Sequence, residues 1–284
     1  MRLLRVGPPG QERPCVLHED GTVVDVSSEV GDYTADFFAH DGLARLRTAV
    51  RSQELPVVDV DAERIGACVA RPGKIVCVGL NYRDHAAESG LAAPGEPVIF
   101  FKAPNTVVGL NDDVRVPRGS EKTDWEVELA IVIGAEGRYL ADEDAALDIV
   151  AGYAVSHDVS ERAFQLERGG QWVKGKSCET FNPLGPYLVT PDEVADVQSL
   201  SLSLSLNGEK RQSGTTADMI FPVAHIVHYL SQFMVLEPGD VINTGTPAGV
   251  GMGQSPQRFL RAGDVTELEI DGLGRQRQLF VPAP

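Results

Sequence analysis

The sequence predicts an α+β fold with a predominantly β core, and three observations carry that reading. Short strand-like runs punctuated by glycine and proline dominate after residue 71, and only two segments there keep a helical period. Neither a GxGxxG following a strand nor a P-loop occurs, so a nucleotide-binding architecture has no support. At 284 residues, 43% hydrophobic and 23% charged, the chain suits one large domain or two modest ones and is too apolar to be disordered.

Taken in order, residues 1–70 read as a small N-terminal α/β module. It holds strand-like runs at Leu3 to Val6 and Thr22 to Val26, an acidic turn at Glu19-Asp20-Gly21, and a helical stretch around Leu43 to Arg51. No cluster in it suggests chemistry. Arg71-Pro72-Gly73 is a turn signal that opens the apolar strand KIVCVGL, and residues 71–284 form the expected second domain. A helix is expected over Asp142 to Val150, where Asp142, Glu143 and Asp144 suit its positive end. Strict alternation from Leu200 to Leu206 followed by Asn207-Gly208 predicts a hairpin. A second helix is expected to start at Pro222, with Val223, Ile226, Val227, Leu230 and Phe233 at core spacing. His225 and His228 lie off that stripe with no third ligand nearby and read as structural or solvent-facing. Trp125 and Trp172 read as packing residues.

The charge is lopsided, with 41 Asp and Glu against 25 Lys and Arg, or −16 overall. Such a chain repels polyphosphate and anionic lipid, so nucleic-acid and membrane partners are not expected. It would also repel a small acidic substrate unless a local feature reverses the sign. No apolar run approaches the roughly 18 residues of a membrane span, and the first residues are too weakly apolar for a signal peptide, so a cytoplasmic location is expected. Cys15, Cys68, Cys77 and Cys178 are scattered without a CxxC pair and read as reduced thiols.

In TDWEVELAIVIG, a strand would project Glu126 and Glu128 from one face and Val127, Leu129 and Ile131 from the other. Taken alone, this is also what a half-exposed strand shows. Asp158 then interrupts the apolar run GYAVSHDVSER, and Lys174 and Lys176 follow in a turn-rich stretch. Three carboxylates on neighbouring β elements make an all-oxygen ligand set suited to Mg²⁺, Mn²⁺ or Ca²⁺. A bound cation would supply the missing sign reversal. His85 and Glu88, three apart, would share a face of a short helix, where a carboxylate fixes one imidazole nitrogen and frees the other as a base. An ordinary exposed polar pair has the same spacing. Gly90 is a plausible terminator, and such an element could act as a lid.

These residues resemble the fumarylacetoacetate hydrolase family over roughly residues 72–280. The resemblance rests on an ordered set: NYRDHAAE, FFKAPNTVVG, the ExE of Glu126 and Glu128, Asp158 in HDVSER, KGKSCETFNPLGP and GDVINTGTPAGVG. It implies a mixed β-roll catalytic core, Mg²⁺ or Mn²⁺ on Glu126, Glu128 and Asp158, and a His85–Glu88 dyad on a flexible lid. It further implies Lys176 as cationic stabiliser, Thr180 near the metal shell, and substrate contacts from Thr246, Arg162 and Gln165. Asp84 matches an additional ligand of some members. Within the family the chain most resembles bacterial hydrolases of 2,4-dioxo-3-deoxy sugar acids such as the fuconate or rhamnonate derivatives. These cleave the C3–C4 bond to pyruvate and a second acid. Ureidoglycolate lyase, oxaloacetate decarboxylase and oxo-acid isomerase activities use the same metal site and stay open, as does a non-catalytic keto-acid or metal binder. A homodimer acting on a small anionic oxo acid is the expected assembly.

Overall fold

The computed structural model describes residues 1–88, 90 and 92–284. Two large sheets dominate, and the few helices are short, which is the mixed α+β, mostly β architecture expected. The larger sheet has nine strands in the order Val23–Asp25, Arg13–Leu17, Arg2–Val6, Leu188–Val189, Val150–His157, Val127–Ile133, Val241–Asn243, Ile75–Gly79 and Val98–Lys102. The smaller has five: Glu209–Thr215, Ser201–Leu206, Val265–Ile270, Gly274–Pro282 and Val114–Val116. Among the described residues no helix is long and apolar enough to cross a membrane.

Val127–Ile133 is buried along its whole length because both its faces are covered. Val127, Leu129 and Ile131 turn into the apolar cluster shared with Leu202, Leu204, Leu268, Ile270 and Phe280 of the smaller sheet. Ala130 and Val132 turn the other way, into a second cluster with Leu3, Val16, Tyr33, Phe37 and Leu46. Residues 1–70 therefore extend the large sheet, Arg2 and Leu3 pairing with Val189 and Leu188, and cover part of one face with the Gly42–Ser52 helix. Each fully buried Val, Leu or Ile here contributes about 1.5–3 kcal/mol relative to exposure.

Asp142 caps the Glu143–Asp148 helix by accepting from Ala145 N. The hairpin forms with Asn207 and Gly208 both at positive φ (52° and 82°), the geometry for which Asn-Gly is favoured. Pro222 precedes the Val223–Ser231 helix, and Val223, Ile226, Val227 and Leu230 are buried. Phe233 departs from its expected core position, being 63% exposed. The helix ends at Ser231, so the chain has left the helical period, and Phe233 packs on Tyr229 at a centroid distance of 4.8 Å. All four cysteines are unpaired.

Candidate active site

Strand direction brings the chemistry to one end of the large sheet. Val150–His157 and Val241–Asn243 both run antiparallel to Val127–Ile133, so their C-terminal ends meet its N-terminal end. Ile75–Gly79 runs parallel to Val241–Asn243 and ends on the same side. Glu126 and Glu128, Asp158, Gly245-Thr246 and Gly79-Leu80 are thereby gathered from four segments. Register makes the carboxylate placement definite: Ser156 pairs with Glu128, and Asp158 donates its N–H to the Glu126 carbonyl at 3.0 Å. Glu126 and Glu128 share a face opposite the inter-sheet core.

The three carboxylates are buried, at 4%, 2% and 0% exposure for Glu126, Glu128 and Asp158, which excludes the screened, half-exposed strand as an explanation. One oxygen of each lies within 4.8 Å of the others. Lys176 Nζ lies between two of them, 2.6 Å from Glu126 and 2.7 Å from Asp158. Arg162 pairs with Glu126 at 2.7 Å and with Asp124 at 2.8 Å. Glu128 accepts from the Gly245 N–H at 2.8 Å. Burial works to raise the Glu126 carboxyl, but Lys176 and Arg162 hold it well below the usual range. Burial, reinforced by Asp158 and Glu126, pushes the Glu128 carboxyl well above it. For Lys176 burial works downward, yet Asp158 and Glu126 raise it and keep it an ammonium. Glu128 is thus the carboxylate lacking a full counter-charge, and an all-carboxylate donor set this close fits a hard divalent cation.

A cavity of about 320 Å³ opens onto Glu126 and Glu128, and Lys176, Arg162, Gln165, His85 and Thr246 also line it. Asp158 lies behind this wall. His85 is buried on the short Arg83–Glu88 helix, its Nδ1 3.4 Å from Glu88. Glu88 also accepts from the Gly249 N–H at 3.0 Å to each oxygen, which ties the helix to the GTPAGVG loop. Gln165 accepts from Arg162 at 3.2 Å. The Thr246 hydroxyl accepts from Gln212 at 2.7 Å and donates to the Val127 carbonyl at 2.8 Å. Thr180 is not brought to the cavity wall: it accepts from Arg115 N at 2.8 Å and donates to the Glu179 carbonyl. Asp84 is exposed and accepts from the His85 N–H.

Three further participants carried little sequence signal. Lys102 is 1% exposed, and its Nζ lies 2.5 Å from Asp158 and 3.0 Å from the Val159 carbonyl. A lysine closing the apolar strand VIFFK was the available cue. Asp124 accepts from the N–H groups of Gly251 and Met252 at 2.6 and 3.0 Å as well as from Arg162, fixing the loop beside the cavity. Trp172 lines the cavity rather than merely packing beneath it, whereas Trp125 is fully buried and donates to the Gly249 carbonyl at 3.1 Å.

The model of the fumarylacetoacetate (FAA) hydrolase C-terminal region matches residues 74–281. The chain belongs to the fumarylacetoacetate hydrolase family. A Burkholderia multivorans relative, carried under the name "Putative hydrolase", is 55% identical over 280 residues, 98% of each chain. Among solved structures, a probable 2-hydroxyhepta-2,4-diene-1,7-dioate isomerase from Mycobacterium abscessus is 34% identical, with both chains fully covered and a TM-score of 0.84. The fumarylacetoacetate hydrolase of Exiguobacterium antarcticum is 36% identical, again over the whole of both chains, with a TM-score of 0.81. This family of divalent-metal-dependent enzymes accounts for the buried Glu126, Glu128 and Asp158 set as a candidate metal site.

Proposed function

We propose that the protein is a metal-dependent hydrolase cleaving the C3–C4 bond of a 2,4-dioxo acid to pyruvate and a second carboxylic acid. One observation carries the reading: Glu126, Glu128, Lys176 and His85 line a single cavity, with Asp158 clustered with the two glutamates and Glu88 beside His85. A divalent cation, with Mg²⁺ the first choice and Mn²⁺ or Ca²⁺ alternatives, would be held by Glu126, Glu128 and Asp158 and would supply Lewis acidity at the carboxylate and 2-oxo oxygens. His85, with one ring nitrogen toward Glu88, accepts a proton from water at the other as the water oxygen attacks C4. The C3–C4 bond then breaks, its electron pair passing into the enolate of pyruvate, and Lys176 offsets the developing charge. The proton on His85 goes to C3, and the acid formed from C4 leaves as its carboxylate, its own proton passing to solvent. The deoxy sugar acids suggested by the resemblance are one subset of this substrate class.

His85→Ala is expected to lower turnover by at least about a hundredfold while leaving Mg²⁺ affinity, read by calorimetry, within about twofold. Near-normal turnover by that variant removes His85 as the base. The related isomerase supports a second reading, in which His85 moves a proton within the substrate and no carbon–carbon bond breaks. Pyruvate release from an acylpyruvate, with loss of its ultraviolet enol band, supports hydrolysis. A shifted band without fragmentation of a hydroxydienoic acid supports isomerisation.

A further inference from the structure

The cavity lining is of two chemical kinds. Glu126, Glu128, Lys176, Arg162 and His85 are charged or polar, and Val78, Leu80, Phe100, Leu166, Trp172 and Met252 are apolar. Phe100 lies where the two meet, its ring centroid 4.9 Å from Lys176 Nζ. The wall is fixed rather than loose. Trp172 meets Phe100 edge to face at 5.3 Å and 60°, and a Cβ at Gly79 would lie only 2.7 Å from its Cζ3. Lys176 and Arg162 are the cations facing the cavity among the described residues, histidine aside, and both are held at the carboxylates, where the substrate's head group would engage them. Of the neutral polar groups, the Thr246 hydroxyl is already used in both directions, and Gln165 has given its carbonyl oxygen to Arg162.

We infer that the wall of Phe100, Trp172, Leu166 and Met252 is an apolar acyl subsite, selecting substrates with an alkyl or aryl group on C4 over those with a second carboxylate or several hydroxyls. A distal carboxylate would leave water and meet no cation beyond the two that serve the head group. A polyol tail would find little beyond the Gln165 amide to replace its hydration. An apolar tail exchanges water for aromatic faces and aliphatic side chains. The inference deepens the hydrolase reading and rests on it for the head group alone.

The test uses the Mg²⁺-loaded protein and three oxamates that share a carboxylate–carbonyl head: N-butyl, N-(3-carboxypropyl) and N-(2,3-dihydroxypropyl) oxamate. By calorimetry the butyl compound is expected to bind at least about tenfold tighter than the other two. Equal or weaker binding of the butyl compound, or its failure to bind, overturns the subsite. Trp172→Ala is expected to weaken the butyl compound about tenfold and the carboxypropyl compound less than about twofold. Leu166, 44% exposed at the rim, provides a variant that leaves the core alone: Leu166→Arg is expected to bring the carboxypropyl compound level with the butyl one. No gain for the carboxypropyl compound counts against the subsite. Pyruvate release from pentanoylpyruvate is read in parallel. The butyl preference without turnover overturns the hydrolase reading and leaves the subsite standing, whereas turnover with a carboxypropyl preference does the reverse.

Discussion

Glu126 and Glu128 are two positions apart on one strand face, yet their surroundings drive them in opposite directions. Both lose hydration, but Glu126 has Lys176 and Arg162 at ion-pair distance while Glu128 has the Gly245 N–H. Burial and the neighbouring Asp158 and Glu126 therefore favour a proton on Glu128 when no cation is bound. A cation takes the ionised carboxylate, so binding must expel that proton. The sign follows: affinity strengthens as pH rises, by up to about tenfold per pH unit for one proton, until Glu128 ionises unaided. Calorimetric Mg²⁺ titrations at several pH values, in buffers of different ionisation enthalpy, should record proton release on binding. Glu128→Gln should abolish that release and weaken binding. A pH-independent affinity would show that Glu128 is already ionised in the free protein.

At the level of elements, the Arg83–Glu88 helix owes its position to a seat on the 249–253 loop. Glu88 is bonded to Gly249 N–H, and a Cβ on Gly253 would overlap the Glu88 carboxyl. Gly253→Ala should displace that carboxyl from both Gly249 and His85, lowering kcat/KM by about tenfold or more while Mg²⁺ affinity stays within about twofold. Faster tryptic cleavage at the exposed Arg83 should accompany it. Unchanged kcat/KM with unchanged cleavage would mean that the loop yields and the seat is not needed. The legibility of such elements from sequence follows the range of the forces involved. Period-two alternation gave the Glu126–Glu128 face, and Asn-Gly gave the hairpin, because both depend on neighbouring residues. Lys102 stayed hidden because its counter-charge, Asp158, lies 56 residues away, and a terminal lysine on an apolar strand has many ordinary explanations. Trp172 is ambiguous in sequence for a similar reason: an aromatic beside a motif looks alike whether it walls a cavity or fills a core. Phe233 keeps the helical spacing in sequence but lies past a helix end that carries no glycine or proline to mark it.

For the whole molecule, all the residues lining the cavity fall between 78 and 252, so residues 1–70 contribute to the site only through the sheet. That contribution is structural but close. Arg2–Val6 is hydrogen-bonded to Leu188–Val189, and Leu3 and Val16 share one apolar cluster with Ile75, Ala130, Ala154 and Val241. A sheet with its two faces in two cores transmits the loss of either, so the chain should unfold as one cooperative unit. Leu3 is fully buried, and Leu3→Ala should cost about 2–5 kcal/mol. Both tryptophans, Trp125 and Trp172, lie outside residues 1–70 and report on the part carrying the site. In urea, Leu3→Ala should shift the tryptophan-fluorescence midpoint by the same amount as the far-ultraviolet circular dichroism midpoint. A tryptophan midpoint left at its wild-type value, with an earlier separate transition in circular dichroism, would make residues 1–70 an independently folding domain. The Leu188–Val189 junction would then be a docking contact rather than part of a common core.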